Sequence, residues 1–105
     1  MTRFSRCLLC ETRSSGFYPP WEFLRDSKLQ KLYKSCYEAY YGKEPKVEAI
    51  HAGLECSVFS AAIEGLDCIA IGPEMRGVHT VNEKLSLSST ENTFRLLISM
   101  LEQMK

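Results

Sequence analysis

The sequence predicts an α/β fold: a small sheet of about three to four strands, two amphipathic helices and a short crossover helix. Three observations predict it. Helix-period apolar stripes recur at 26–41 and again after residue 87. A near-continuous apolar run, Leu66–Ile71, has strand length and the composition of a strand covered on both faces. Between these, 46–71 alternates apolar run, turn, helical segment, glycine and apolar run, the order of a βαβ unit with a right-handed crossover.

The chain has 105 residues, of which 45% are hydrophobic and 25% charged, ordinary values for one globular domain. Its formal net charge is +0, so nothing in the charge balance argues for nucleic acid or an anionic membrane as partner. The longest apolar runs are too short to span a bilayer. The opening MTRFSRCLLCETR lacks the apolar core of a secretory signal. Five scattered cysteines, an odd number, fit reduced thiols in a cytoplasm better than a disulfide scaffold.

The elements follow in order. The patch Cys7-Leu8-Leu9-Cys10 reads as a short buried strand; its Cys-x-x-Cys spacing would also suit zinc or a redox pair. Ser14–Trp21 is a connection, since Pro19 and Pro20 bar helix and central strand. Asp26–Tyr41 is a helix, capped by Asp26 or Ser27 and stopped by Gly42. Its apolar stripe is Leu29, Leu32, Tyr33, Cys36, Tyr37 and Tyr40.

Lys46–His51 is expected as a strand, Leu54–Glu64 as a short helix closed by Gly65, and Leu66–Ile71 as the second strand. Gly72–Asn82 is a loop, followed by a short extended piece at Glu83–Leu87. Ser88-Ser89-Thr90-Glu91 has the spacing of a capping box. The helix after it carries Phe94, Leu97, Ile98, Leu101 and Met104 on one face.

The polar chemistry is concentrated between Ile50 and Glu83, where both histidines lie. His79 sits in a flexible loop after a strand, where open α/β sheets bind ligands. Neutral imidazole is the commonest zinc ligand, but a surface or hydrogen-bonded loop histidine reads the same way. His51 and Glu55 flank a turn near a strand's carboxyl end; Glu55 could meet a substrate ammonium, or serve only the helix dipole. Cys56 at a helix start could be an activated thiol, yet no nucleophile signature surrounds it.

Taken together, His51-Ala52-Gly53-Leu54-Glu55-Cys56, Gly72-Pro73-Glu74-Met75, Gly77-Val78-His79-Thr80 and Asn82-Glu83-Lys84-Leu85 resemble the C-terminal end of aminoacyl-histidine dipeptidases. Tyr18-Pro19-Pro20-Trp21 resembles that family's Tyr-Pro-Gly-Trp segment. The resemblance runs from about Gly16 to the C-terminus, in the family's order. It implies a catalytic domain with a smaller lid domain, so that 1–21 corresponds to the junction between them and 22–105 to the C-terminal part of the catalytic domain. It further implies two zinc ions, hydrolysis of Xaa-His dipeptides and a homo-oligomer. On the matching positions His79 would be a zinc ligand, and Glu55 and His51 would face substrate.

The chain departs from the pattern at Val81-Asn82, where the family has Pro-Asp, at Ser57, where it has Gly, and at Phe94, where it has Trp. It contains no His-x-Asp motif and no Glu-Glu pair. No catalytic base is therefore assigned, and zinc is not expected to bind tightly to these residues alone. Two other readings stay open: a non-enzymatic, self-associating α/β module, and a small protein binding metal or thiols through Cys7, Cys10 and a histidine.

Overall fold

The computed structural model describes residues 13, 15–50 and 52–105. The α/β class holds: α1 (Lys28–Tyr41), α2 (Glu55–Ala62), β1 (Met75–Arg76), β2 (Lys84–Leu85) and α3 (Leu87–Gln103). β1 and β2 pair antiparallel, with Met75 opposite Leu85 and Arg76 opposite Lys84. The patch expected as a strand around Cys7–Cys10 lies outside the described residues.

The first helix forms where its stripe and caps place it. The Ser27 hydroxyl accepts from the Gln30 amide at 2.8 Å, and Gly42 closes the helix in the left-handed conformation at φ 67°. A second cap comes from far away in sequence: Asp67 Oδ2 accepts the Leu29 amide at 2.9 Å. That bond, then the Ser27 side chain and Lys28, hold the Asp67 carboxyl below its usual range against some desolvation. A depressed carboxylate pKa stabilises the fold above the unfolded value and loses that contribution as pH falls. Asp67→Ala is expected to cost about 1 kcal/mol at neutral pH, the usual worth of an N-terminal cap. In urea titrations the gap between the variant and the parent chain should narrow below about pH 4. A gap that stays constant down to strong acid would remove the carboxylate from this role.

The core sits between α1 and α3. Cys36, Leu96 and Met100 are buried, and Leu29, Leu32, Tyr33, Tyr37 and Ile69 pack against them. The α1 stripe therefore faces inward as expected, except that Tyr40 is exposed and donates its hydroxyl to Asn92 Oδ1 at 3.0 Å.

Three expectations are corrected. The runs 46–50 and 66–71 form no ladder among the described residues, and the sheet these contain is the hairpin β1–β2, not a parallel βαβ unit. A parallel strand needs hydrogen-bonding neighbours on its edges and cover on both faces, and these residues supply neither to the two runs. Next, α3 is capped by Ser86, whose hydroxyl accepts from the Ser89 amide at 3.3 Å, and not by Ser88. Glu91 reaches forward to Arg95 at 2.7 Å, an i,i+4 pair, and not back to a cap. Finally, α3 turns Leu96 and Met100 inward, while Phe94, Leu97, Ile98, Leu101 and Met104 are exposed. The helix is apolar on two sides. The side that meets α1 pairs its large residues with small polar Ser89, Asn92 and Thr93, which allow close approach.

In α2 the apolar residues do not all face inward. Ser57 is buried and donates its hydroxyl to Leu54 O at 2.7 Å, whereas Val58, Ala61 and Ala62 stay exposed. No helix among the described residues is long and apolar enough to cross a membrane.

Candidate functional site

The site is the connection between β1 and β2, and the hairpin is anchored from α3. Ser86 donates its amide to Glu74 O at 3.0 Å, and Glu74 donates its own to Ser89 Oγ at 2.8 Å. The hairpin thus continues into the first turn of α3. Glu74 also takes the Arg76 guanidinium at 2.7 Å on the exposed surface.

Within the loop, Thr80 organises the turn. Its amide and hydroxyl both donate to Gly77 O, at 3.0 and 2.6 Å. The same hydroxyl oxygen accepts from the Asn82 amide at 3.2 Å, and Glu83 donates its amide to Thr80 O at 3.2 Å. Gly77 sits at φ 62°, and a Cβ there would lie 3.0 Å from Asn82 O and 3.1 Å from Thr80 Oγ1. Gly77→Ala is expected to combine backbone strain with this crowding and to cost at least about 1 kcal/mol. Amide chemical shifts at 77–83 should move together in the variant while those in the centre of α1 stay in place. An unchanged melting midpoint would contradict the tightness of the turn.

His79 is exposed and adopts φ 63°, the sole non-glycine residue with positive φ among the described residues. Histidine is one of the side chains that visit this region more readily, but the conformation still costs energy and marks places where backbone geometry serves a task. Its amide donates to Glu83 Oε2 at 3.2 Å, so a carboxylate sits against the histidine's own backbone. The imidazole is thereby presented outward from a hydrogen-bonded turn.

The other sequence candidates are not brought to it. Glu55 is the first residue of α2 and exposed, a position favourable to a carboxylate through the helix dipole. No hydrogen bond or ion pair joins it to the His79 loop among the described residues. His51 lies outside the described residues, as do Cys7 and Cys10. Two of the motifs do meet: the Tyr18 ring packs on Gly53, where a Cβ would stand 3.4 Å from Tyr18 Cε1. Tyr-Pro-Pro-Trp and the turn before α2 are therefore neighbours.

Among the described residues no group of three or more His, Cys, Asp or Glu is placed to hold a metal ion. A catalytic zinc keeps at least three protein ligands. These residues by themselves do not fit a complete metal centre; His79 can contribute one donor. Sequence reasoning missed Asp67 as a structural anchor. The available signal was a carboxylate inside the apolar run LDCIAI, a placement that demands a partner.

The loop, its strained histidine and the motifs around it coincide with a match to peptidase family M20/M25/M40 over residues 10–103. The chain belongs to that family. It is also 31% identical over 93 residues to the cytosol non-specific dipeptidase of Escherichia coli (strain K12), an alignment covering 89% of this chain and 19% of that protein. The chain thus spans about a fifth of the length of the curated relative it matches. The matched range of this M20/M25/M40 chain contains α1, α2, the hairpin with His79 and α3. The family is generally metal-dependent.

Proposed function

We propose that this chain is the C-terminal segment of the catalytic domain of a zinc-dependent dipeptidase, that it takes dipeptides including the Xaa-His type, and that it is inactive alone. In this reading 22–105 belongs to the catalytic domain and 1–21 to its junction with a lid. His79 supplies one ligand to a two-zinc centre whose other ligands lie elsewhere in a longer protein, while Glu55 and His51 face the substrate. The observation that carries the proposal is the outward imidazole held at positive φ inside a family-matched loop. Bound zinc would supply a water acidified towards neutral pH and a polarised amide carbonyl. The name of the Escherichia coli relative supports dipeptides as the substrate class and a cytoplasmic location.

Reassembly tests this. The relative, truncated of its matching segment, is mixed with this chain and zinc and assayed against alanyl and histidyl dipeptides. Activity should return with both parts and be absent with either alone. Hydrolysis by this chain alone would overturn the proposal, and so would reassembly that works equally well without His79.

A second reading, a self-associating module, is favoured by one feature: the apolar row Phe94, Leu97, Ile98, Leu101 and Met104 on the open side of α3. Sedimentation of the chain with Leu101→Lys separates the two. Under the second reading a dimer falls apart; under the first, the variant instead blocks reassembly.

A further inference from the structure

Cys56 lies in the first turn of α2 and Cys68 in the segment that follows it; both are half-buried and unbridged. The Cys56 thiol points at that segment, with Sγ 4.0 Å from Ile69 O. Ser60, one helical turn beyond Cys56 on the same face of α2, lines a hollow together with Cys68, Leu66 and Trp21. The Cys56/Ser60 face of α2 is thus the face turned towards Cys68.

We propose that Cys56 and Cys68 form a dithiol–disulfide site, oxidised by peroxides, which in its oxidised state bolts the start of α2 to the segment carrying Asp67 and Ile69. The proposal stands on this chain's own geometry and does not depend on the peptidase reading. Burial first, and then the neighbouring Cys68 thiol, push the Cys56 thiol above its ordinary pKa. The chemistry balances with hydrogen peroxide as oxidant. One thiolate attacks a peroxide oxygen, forming a sulfenic acid and releasing hydroxide. The second thiolate attacks that sulfur, the S–S bond forms, and the departing hydroxide takes up a proton. Two thiols and one peroxide give one disulfide and two waters. Asp67, next to Cys68, caps α1, so the cross-link would also tie α2 to the start of α1.

The test uses the chain as it is. Fully reduced protein is exposed to dilute hydrogen peroxide under native conditions, alkylated, and digested after glutamate, which cuts at Glu55 and Glu64 and so places the two cysteines on separate peptides. The expected result is loss of alkylation at both Cys56 and Cys68. A linked pair of peptides should appear, lighter by two hydrogens than the sum of its parts, and dithiothreitol should reverse it. In Cys68→Ser, the linked pair of peptides should be absent after the same treatment. Oxidation that leaves Cys56 and Cys68 alkylatable, or joins Cys7 to Cys10 instead, would overturn the proposal. So would equal cross-linking in denaturant, because the folded arrangement would then contribute nothing.

Discussion

Leu96→Ala should destabilise this chain by about 2–5 kcal/mol, enough to unfold much of it at room temperature. The residue is 2% exposed and, among the described residues, shares the buried centre with Cys36 and Met100. Removing its isobutyl group takes apolar area out of the core and leaves a hole between α1 and α3. In a larger domain a second layer would share the loss; here the remaining packing comes from side chains that are only partly covered. The denaturant midpoint should fall while its slope stays constant. Leu97→Ala, the next residue on the open side, is the control and should cost less than about 1 kcal/mol. Equal losses at 96 and 97 would mean that α3 is not docked through the side described.

His79→Ala is expected to lower the activity of the reassembled peptidase by more than about a hundredfold. Groups that merely orient a metal's ligands are worth 10–100-fold, and a direct ligand should exceed them. The same change should hardly affect the fold, because the side chain is exposed and the turn is held by Thr80 and Gly77. Replacing it could even relieve strain if glycine were chosen, since φ 63° suits glycine. The informative comparison is therefore His79→Gly beside His79→Ala. Both should lose zinc and turnover, and the glycine variant should melt no lower than the parent chain. Retained turnover in either variant would remove His79 from the metal centre.

The helices were readable in the sequence; of the sheet only β2, inside the extended piece expected at Glu83–Leu87, was. The helices α1 and α3 carry their own periodicity and hydrogen bonds, so local pattern sufficed to find them. Which face of α3 turns inward was not legible, because two apolar sides compete and the choice falls to the shape of α1, with its tyrosines and Cys36. The runs 46–51 and 66–71 have strand composition, but a strand is a relation between segments, and composition names only one party to it. In the site, the turn around His79 was marked by its glycine, while the metal role proposed for His79 rests on motif order alone. The Asp67 cap was hidden because its partner amide stands 38 positions away. The approach of Tyr18 to Gly53 was equally remote from any local signal.

The anchoring of the hairpin to the first turn of α3 has a thermal consequence. Two residue pairs are too few to hold a register unaided, so the strands take theirs from Ser86 and Ser89. The imidazole is therefore part of the helix's cooperative unit, and its loop should lose hydrogen-exchange protection in step with the N-terminal end of α3 as temperature rises. Fraying of that helix end, well before global melting, would be the event that disperses the site.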